Sequence, residues 1–210
     1  QRNGDGELEV HLAAVVVFSR SPSAVVPGAR VVCVRREGVG PGPGPSVDRK
    51  ELTGTIVEME ERVLDWVDGH TSRRQVVTGL LREELTEYPV AALREAFLNA
   101  LGHRNYHLSN ATVDVELWDD RIRIISPGGL AGHITLQNIR EQHYSRNPQV
   151  MRALKALRLV EEFGEGVDRI FEVMAQRLMD PPLIQASEDS VSVTLRNRHR
   201  GSAEDQAAMM

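Results

Sequence analysis

Two short alternating segments joined by a two-residue turn constrain this chain more than any other feature. Residues 112–119 (TVDVELWD) and 121–126 (RIRIIS) carry apolar side chains at every second position, the period of a strand with one buried face. Asp119-Asp120 leaves room only for a tight turn, so the pair forms an antiparallel hairpin. The flanking segments supply helices to cover it. A helix is expected from about Pro89 to about Arg104, with Leu93, Ala96, Phe97, Ala100 and Leu101 on one face. Another spans about Pro148–Leu159, and EFGEGVDRI leads into a further one ending near Met179, where Pro181-Pro182 stops it. Two last strands, 183–187 and 191–196, meet at the turn Ser187–Ser190. Upstream, Asp48 is expected to cap a helix running to about Trp66, because Leu52, Ile56, Met59, Val63 and Val67 recur at steps of three and four. Strands that pair as neighbours, with helices in separate runs, predict an α+β sandwich: helices on one face of a largely antiparallel sheet.

Residues 38–46 (GVGPGPGPS) alternate proline with glycine and can hold neither helix nor strand, so they read as a loop or linker. Val10–Phe18 and Ala29–Arg36 precede it, the second rich in β-branched residues and a strand candidate. Two elements are few for an independent domain. The first 37 residues are therefore expected to finish a unit begun upstream, and the chain, opening at Gln1 without a signal peptide, reads as a piece of a longer protein. The single Cys33 excludes an internal disulfide framework or a cysteine zinc cage and fits a cytoplasmic protein. No apolar run approaches the roughly 18 residues of a membrane span. The net charge of -5 excludes a polycation that clings to nucleic acid indiscriminately. Any DNA contact must come from local clusters such as Arg30, Arg35 and Arg36, or Arg196, Arg198 and Arg200.

The chemistry-bearing stretch is 88–106, YPVAALREAFLNALGHRNY. Glu95 and Asn99 sit one helical turn apart, with His103 a further turn along. A carboxylate and an amide oxygen so spaced can hold a Mg²⁺ that bridges phosphates while the acid orients a water; the same spacing describes an ordinary solvated helix face. Ser126-Pro127-Gly128-Gly129 follows a strand, where paired glycines either admit a ligand against the backbone or simply turn the chain. Gly164-Glu165-Gly166 precedes a helix, and free amides there favour phosphate, although a cap for the preceding segment fits equally. Arg146, ahead of Asn147-Pro148, can reach a polyphosphate or merely flank an N-cap. His103 and His107 are four apart, but no third or fourth zinc ligand follows. No P-loop occurs, so the chain carries no helicase motor of that kind.

In combination, YPVAALREAFLNALGHRNY, WDDRIRIISPGGL and SRNPQVMRALKALRLVEEFGEGVDRIF resemble the GHKL ATPase fold of gyrase B-type topoisomerases, histidine kinases and MutL. More closely, they resemble the divergent GHKL-like domain of bacterial transcriptional regulators and RecG-like proteins. The residues ahead, VVVFSRSPSAVVPGARVVCVRREG, are similar to the end of an AlbA-like, Schlafen-type domain. The resemblance implies an AlbA-like remnant with its linker over 1–47, a connecting helical segment over 48–83, a GHKL-like ATP-binding domain over 84–197 and a disordered tail over 198–210. It implies ATP and Mg²⁺ as cofactors, with Glu95 activating water, Asn99 coordinating Mg²⁺, Gly128 under the adenine, Gly129 among the nucleotide-binding residues, and Gly164 and Gly166 at the phosphates. Ser126 stands where most members place an aspartate that reads the adenine amino group; a hydroxyl can still accept that hydrogen bond, without charge. Asp168 replaces a glycine near the phosphates, and Arg169 beside it is expected to offset its charge. Residues 131–147, with His133 and His143, correspond to a nucleotide lid. DNA is the implied partner, through the upstream domain or a C-terminal module, and a homodimer is a possible assembly. The alternative is a non-catalytic scaffold or dimerisation domain of a DNA-binding regulator.

Overall fold

The computed structural model describes residues 10–39, 42, 44–78, 81–160 and 165–197. The alternation forms the hairpin it predicts. β5 (Val113–Leu117) and β6 (Arg121–Pro127) pair antiparallel with Val115 opposite Ile124, and Trp118 N–H donates to the Arg121 carbonyl at 2.8 Å to close the Asp119-Asp120 turn. β8 (Ser190–Arg196) pairs antiparallel with β6, and β7 (Leu183–Ala186) with β8. On the other side of β5 lies β1 (Arg30–Arg36), parallel to it, and β2 (Ser46–Thr53) pairs antiparallel with β1. The result is one six-stranded, mostly antiparallel sheet in the order β2-β1-β5-β6-β8-β7.

One sheet face carries Val31, Cys33, Val113, Val115, Leu117, Ile122, Ile124 and Leu195 into the core, and the helices pack there. The central one is α4 (Val90–His103), which lies against β6, α3 (Ile56–Gly69) and α6 (Glu165–Gln176). Enclosed on several sides, α4 buries residues around most of its circumference, including Ala92, Leu93, Ala96, Phe97, Leu98 and Leu101. α1 (Leu12–Phe18), followed by the short α2 (Pro22–Val25), packs on α5 (Pro148–Ala156).

The C-terminal end of α4 is held from two sides. Asn147 Nδ2 donates to the carbonyls of Gly102 (3.0 Å) and Arg104 (2.8 Å), tying the start of α5 to it. The fully buried Arg104 guanidinium donates to the Gly28 carbonyl and, at 2.7 Å, to that of Ala111, and lies 4.9 Å from the centre of the Tyr106 ring. Burial lowers the pKa of this group, and the carbonyl acceptors are what it has in place of water.

Several expectations need correction. Asp48 does not start a helix: residues 46–53 form β2, and α3 begins at Ile56 with Thr55 as its cap. Thr55 Oγ1 accepts from Glu58 N–H at 3.2 Å while Glu58 Oε2 accepts from Thr55 N–H at 2.8 Å, a reciprocal capping box that a lone Asp cannot match. Asp48 instead accepts from Trp66 Nε1 at 3.0 Å and pairs with His70 Nε2 at 3.1 Å. The glycine–proline stretch at 38–46 connects the antiparallel partners β1 and β2, with Arg36 opposite Ser46. Both strands hydrogen-bond into the sheet that carries β5, although they come from the stretches expected as an upstream remnant and a connecting segment. That connecting stretch also holds a separate hairpin, β3 (Arg73–Thr78) with β4 (Leu81–Thr86), rather than helix throughout; its run of β-branched Val76, Val77 and Thr78 favours strand over helix. The tail 198–210, with Arg198 and Arg200, lies outside the described residues.

Candidate functional site

Between α4, the β6-β8-β7 part of the sheet and the start of α6 lies a cavity of about 190 Å³. Its walls are mainly apolar, with Ala96, Ala100, Ile124, Ile170, Ile184 and Val193 among them. The polar groups that line it include Glu95, Asn99 and His103 from α4, Ser126 from β6, and Lys155 from α5. Gly128 and Gly129 line it beyond β6, and Gly166 at the start of α6. Three stretches far apart in sequence, each singled out for its residue types, therefore meet at one hollow.

Glu95 is only 7% exposed, so the helix face it occupies is not a solvated one. Asn99 Nδ2 donates to Glu95 Oε1 at 3.0 Å. That bond spends the amide nitrogen as donor and directs the amide oxygen elsewhere as acceptor. Gly166 sits directly against the pair: a Cβ there would lie 2.0 Å from Glu95 Oε1 and 3.1 Å from Asn99 Nδ2. The glycine thus lets the N-terminus of α6 approach a buried carboxylate, a placement the helix dipole favours. Gly164 lies outside the described residues.

Ser126, 7% exposed, donates its hydroxyl proton to the Ala100 carbonyl at 2.7 Å. Its remaining capacity is therefore that of an acceptor. Gly128 and Gly129 line the cavity, but their amides are occupied: Gly128 N–H donates to the Asp189 carbonyl at 2.7 Å and Gly129 N–H to that of Glu188 at 3.0 Å. Gly128 has φ +94°, and a Cβ on Gly129 would meet the Ser187 carbonyl oxygen at 2.5 Å. Gly129 is required by the turn between β7 and β8 that packs on it, and Gly128 by its positive φ and by Asn105, whose Cβ would lie 2.6 Å from a Cβ there.

The two arginines stand differently. Arg146 Nη2 donates to the Gly129 carbonyl at 2.7 Å, which binds it to the backbone, and neither Arg146 nor Arg169 is among the residues lining the cavity. Asp168 is balanced by Arg140 from the 131–147 segment, Nε to Oδ1 at 2.6 Å, with that guanidinium 4.7 Å from the centre of the Phe171 ring. Residues of the same segment, among them Ala131, Ile134, Ile139, His143 and Tyr144, form the cavity's remaining wall.

Lys155 and His103 are cavity residues outside the site the motifs define. Lys155 closes the last turn of α5 and brings a cationic side chain to the wall; being one of only two lysines in the chain was its sole signal. His103 falls on the α4 face of Glu95 and Asn99, which the four-residue spacing did indicate. Burial, with a smaller contribution from the Arg146 cation, pushes its imidazole down to about 4, so the ring is neutral at physiological pH.

A family model described as "Putative ATP-dependent DNA helicase recG C-terminal" (HATPase_c_4) matches residues 110–195. The match runs from just ahead of β5 to the end of β8, under half of the chain. It takes in Ser126, the glycine pair and the start of α6, and leaves α4 with Glu95 and Asn99 outside. Among curated proteins no relative matches. Among solved structures, the DIP2311 protein from Corynebacterium diphtheriae superposes with a TM-score of 0.78 at 25% sequence identity, over 94% of this chain and 39% of that one. This chain therefore spans well under half of that protein's length. Among the described residues no helix is long and apolar enough to cross a membrane.

Proposed function

We propose that this chain is a GHKL-type nucleotide-binding module that takes ATP with Mg²⁺ in the cavity between α4 and the sheet, as part of a larger DNA-associated bacterial regulator of the RecG-like kind. The observation that carries this reading is the convergence of Glu95 and Asn99, Ser126 and its glycines, and Gly166 on one open hollow. Its apolar walls suit the faces of a purine base. Among the described residues no three acidic, cysteine or histidine side chains gather as a metal cage. Mg²⁺ does not need one, since it commonly takes one or two protein ligands and completes its shell with phosphate oxygens and water. The Asn99 amide oxygen is the group that fits as that ligand, because Glu95 already engages the amide nitrogen. Bound there, Mg²⁺ would neutralise phosphate charge.

Glu95 is the group placed to orient a water. Hydrolysis is expected to be slow, because one of its carboxylate oxygens is engaged by Asn99. The test is calorimetric titration with Mg-ATP: saturable binding, lost in Asn99→Ala, supports the reading, and absence of binding at millimolar ATP refutes it.

A second reading, a non-catalytic scaffold or dimerisation domain, is favoured by the amides of Gly128 and Gly129 being spent on the 187–190 turn. Steady phosphate release from ATP, abolished by Glu95→Gln, would exclude it. DNA contact is assigned in this proposal to segments outside the cavity.

A further inference from the structure

His103 lines the cavity from α4, and neither the fold nor the nucleotide reading has given it a role. Among the described residues its ring makes no hydrogen bond, although it lines the cavity beside side chains that do. It lies three residues beyond Ala100 on α4, and helical side chains lean toward the preceding turn. The imidazole is thereby brought over the turn whose Ala100 carbonyl holds the Ser126 hydroxyl. His103 and Ser126 both line the cavity.

The two groups differ in what they offer. Ser126 has a single hydroxyl proton, committed to Ala100, and can only accept from a ligand. A neutral imidazole carries one N–H donor and one acceptor nitrogen, with the tautomer free to follow the ligand. Donor and acceptor side by side match one edge of adenine, where a ring-nitrogen acceptor adjoins the 6-amino donor. Guanine and hypoxanthine present a 6-keto oxygen at the amino position. That oxygen would face the Ser126 oxygen with no proton between them, unless the hydroxyl gave up its bond to Ala100.

We propose that His103, acting with Ser126, reads the base of the bound nucleotide and selects adenine over 6-keto purines. This inference rests on the nucleotide reading of the cavity. His103 donates to a ring nitrogen while Ser126 accepts from the 6-amino group, and the phosphates are left to the Glu95–Asn99 end.

The test measures dissociation constants of Mg-ATP, Mg-ITP and Mg-tripolyphosphate for the wild type, His103→Ala and His103→Gln, with melting curves of the ligand-free proteins alongside. The wild type should prefer ATP over ITP by about tenfold or more, and His103→Ala should weaken ATP by about tenfold, the equivalent of about 1.4 kcal/mol. Tripolyphosphate affinity should stay unchanged, and Gln, which keeps a donor, should restore part of the loss. Equal ATP affinity in the wild type and His103→Ala, or no ATP-over-ITP preference in the wild type, overturns the proposal and leaves the nucleotide reading intact. Failure of the wild type to bind any of these nucleotides overturns both. Should the variants fail to fold, ¹⁵N spectra of the wild-type histidines decide the matter: ATP must shift the His103 ring nitrogens, and unshifted nitrogens at saturation refute the contact.

Discussion

Gly166→Ala is the perturbation most directly calculable from the site. At the second position of α6 an alanine would ordinarily stabilise a helix by about 0.5–1 kcal/mol over glycine. Here its Cβ would stand 2.0 Å from Glu95 Oε1, 3.0 Å from Glu95 Cδ and 3.1 Å from Asn99 Nδ2. One of two things must give. Either the carboxylate swings away and forfeits its 3.0 Å bond from Asn99, which for a charged acceptor costs about 1.5–3 kcal/mol, or the start of α6 shifts, an overpacking cost of about 1–3 kcal/mol. After the helix gain, the net loss is about 1–2 kcal/mol, or roughly 2–8 °C in melting temperature for a chain of this size. Thermal and urea unfolding of the four members of a Glu95→Ala/Gly166→Ala cycle tests the reasoning. Removing the carboxylate should make the glycine substitution neutral or stabilising, giving a coupling of at least about 1 kcal/mol. A Gly166→Ala protein as stable as wild type, with strictly additive effects in the cycle, would refute the close approach.

Other consequences follow from buried groups. Arg104→Ala should cost about 3–4 kcal/mol, because a fully buried side chain is removed, the Ala111 carbonyl loses its guanidinium donor and the Gly28 carbonyl keeps only the Arg30 N–H; denaturant titration measures it. His103, held near 4 in the fold against 6.5 unfolded, contributes stability that is fully present above about pH 6.5 and lost as pH falls toward 4, about 3 kcal/mol in all. Unfolding of the wild type and His103→Gln across pH 4–7 should differ by this slope and converge if the ring is not buried. Cys33, whose thiol burial pushes up to about 12, should resist iodoacetamide at pH 8 in the folded protein and react once urea unfolds it; rapid labelling without denaturant would contradict its packing beneath the helices.

The parts of the fold legible in the sequence were those with a clean period. Val113, Val115 and Leu117 facing Ile122 and Ile124 could only be a half-buried hairpin, and the α4 pattern stood out through its continuous apolar face. β2 was hidden because an edge strand with Leu52 as its one buried residue shows no alternation. The Thr55–Glu58 box was readable, yet Asp48 offered a competing start. At the site, the Glu95–Asn99 spacing was visible, but its burial depends on α6 closing over it, which no local pattern states. Gly128 and Gly129 stand out in the sequence only as glycines; the reasons for them, Asn105 against the first and the Ser187–Ser190 turn against the second, are distant in sequence. Arg146 had the chemistry of a phosphate ligand and turned out to hold a backbone carbonyl. Local charge indicates what a side chain can do, and the tertiary neighbours decide which option is taken.

The eight isoleucines of the chain offer a direct reading of where a ligand sits. Ile124, Ile134, Ile139, Ile170 and Ile184 line the cavity, whereas Ile56, Ile122 and Ile125 are not among its lining residues. A titration of Mg-ATP into protein carrying ¹³C-labelled isoleucine methyl groups should therefore shift the first five resonances saturably and leave that of Ile56, the first residue of α3, in place. Saturable shifts confined to residues outside the hollow, or none at millimolar nucleotide, would contradict the assignment of this cavity as a nucleotide site.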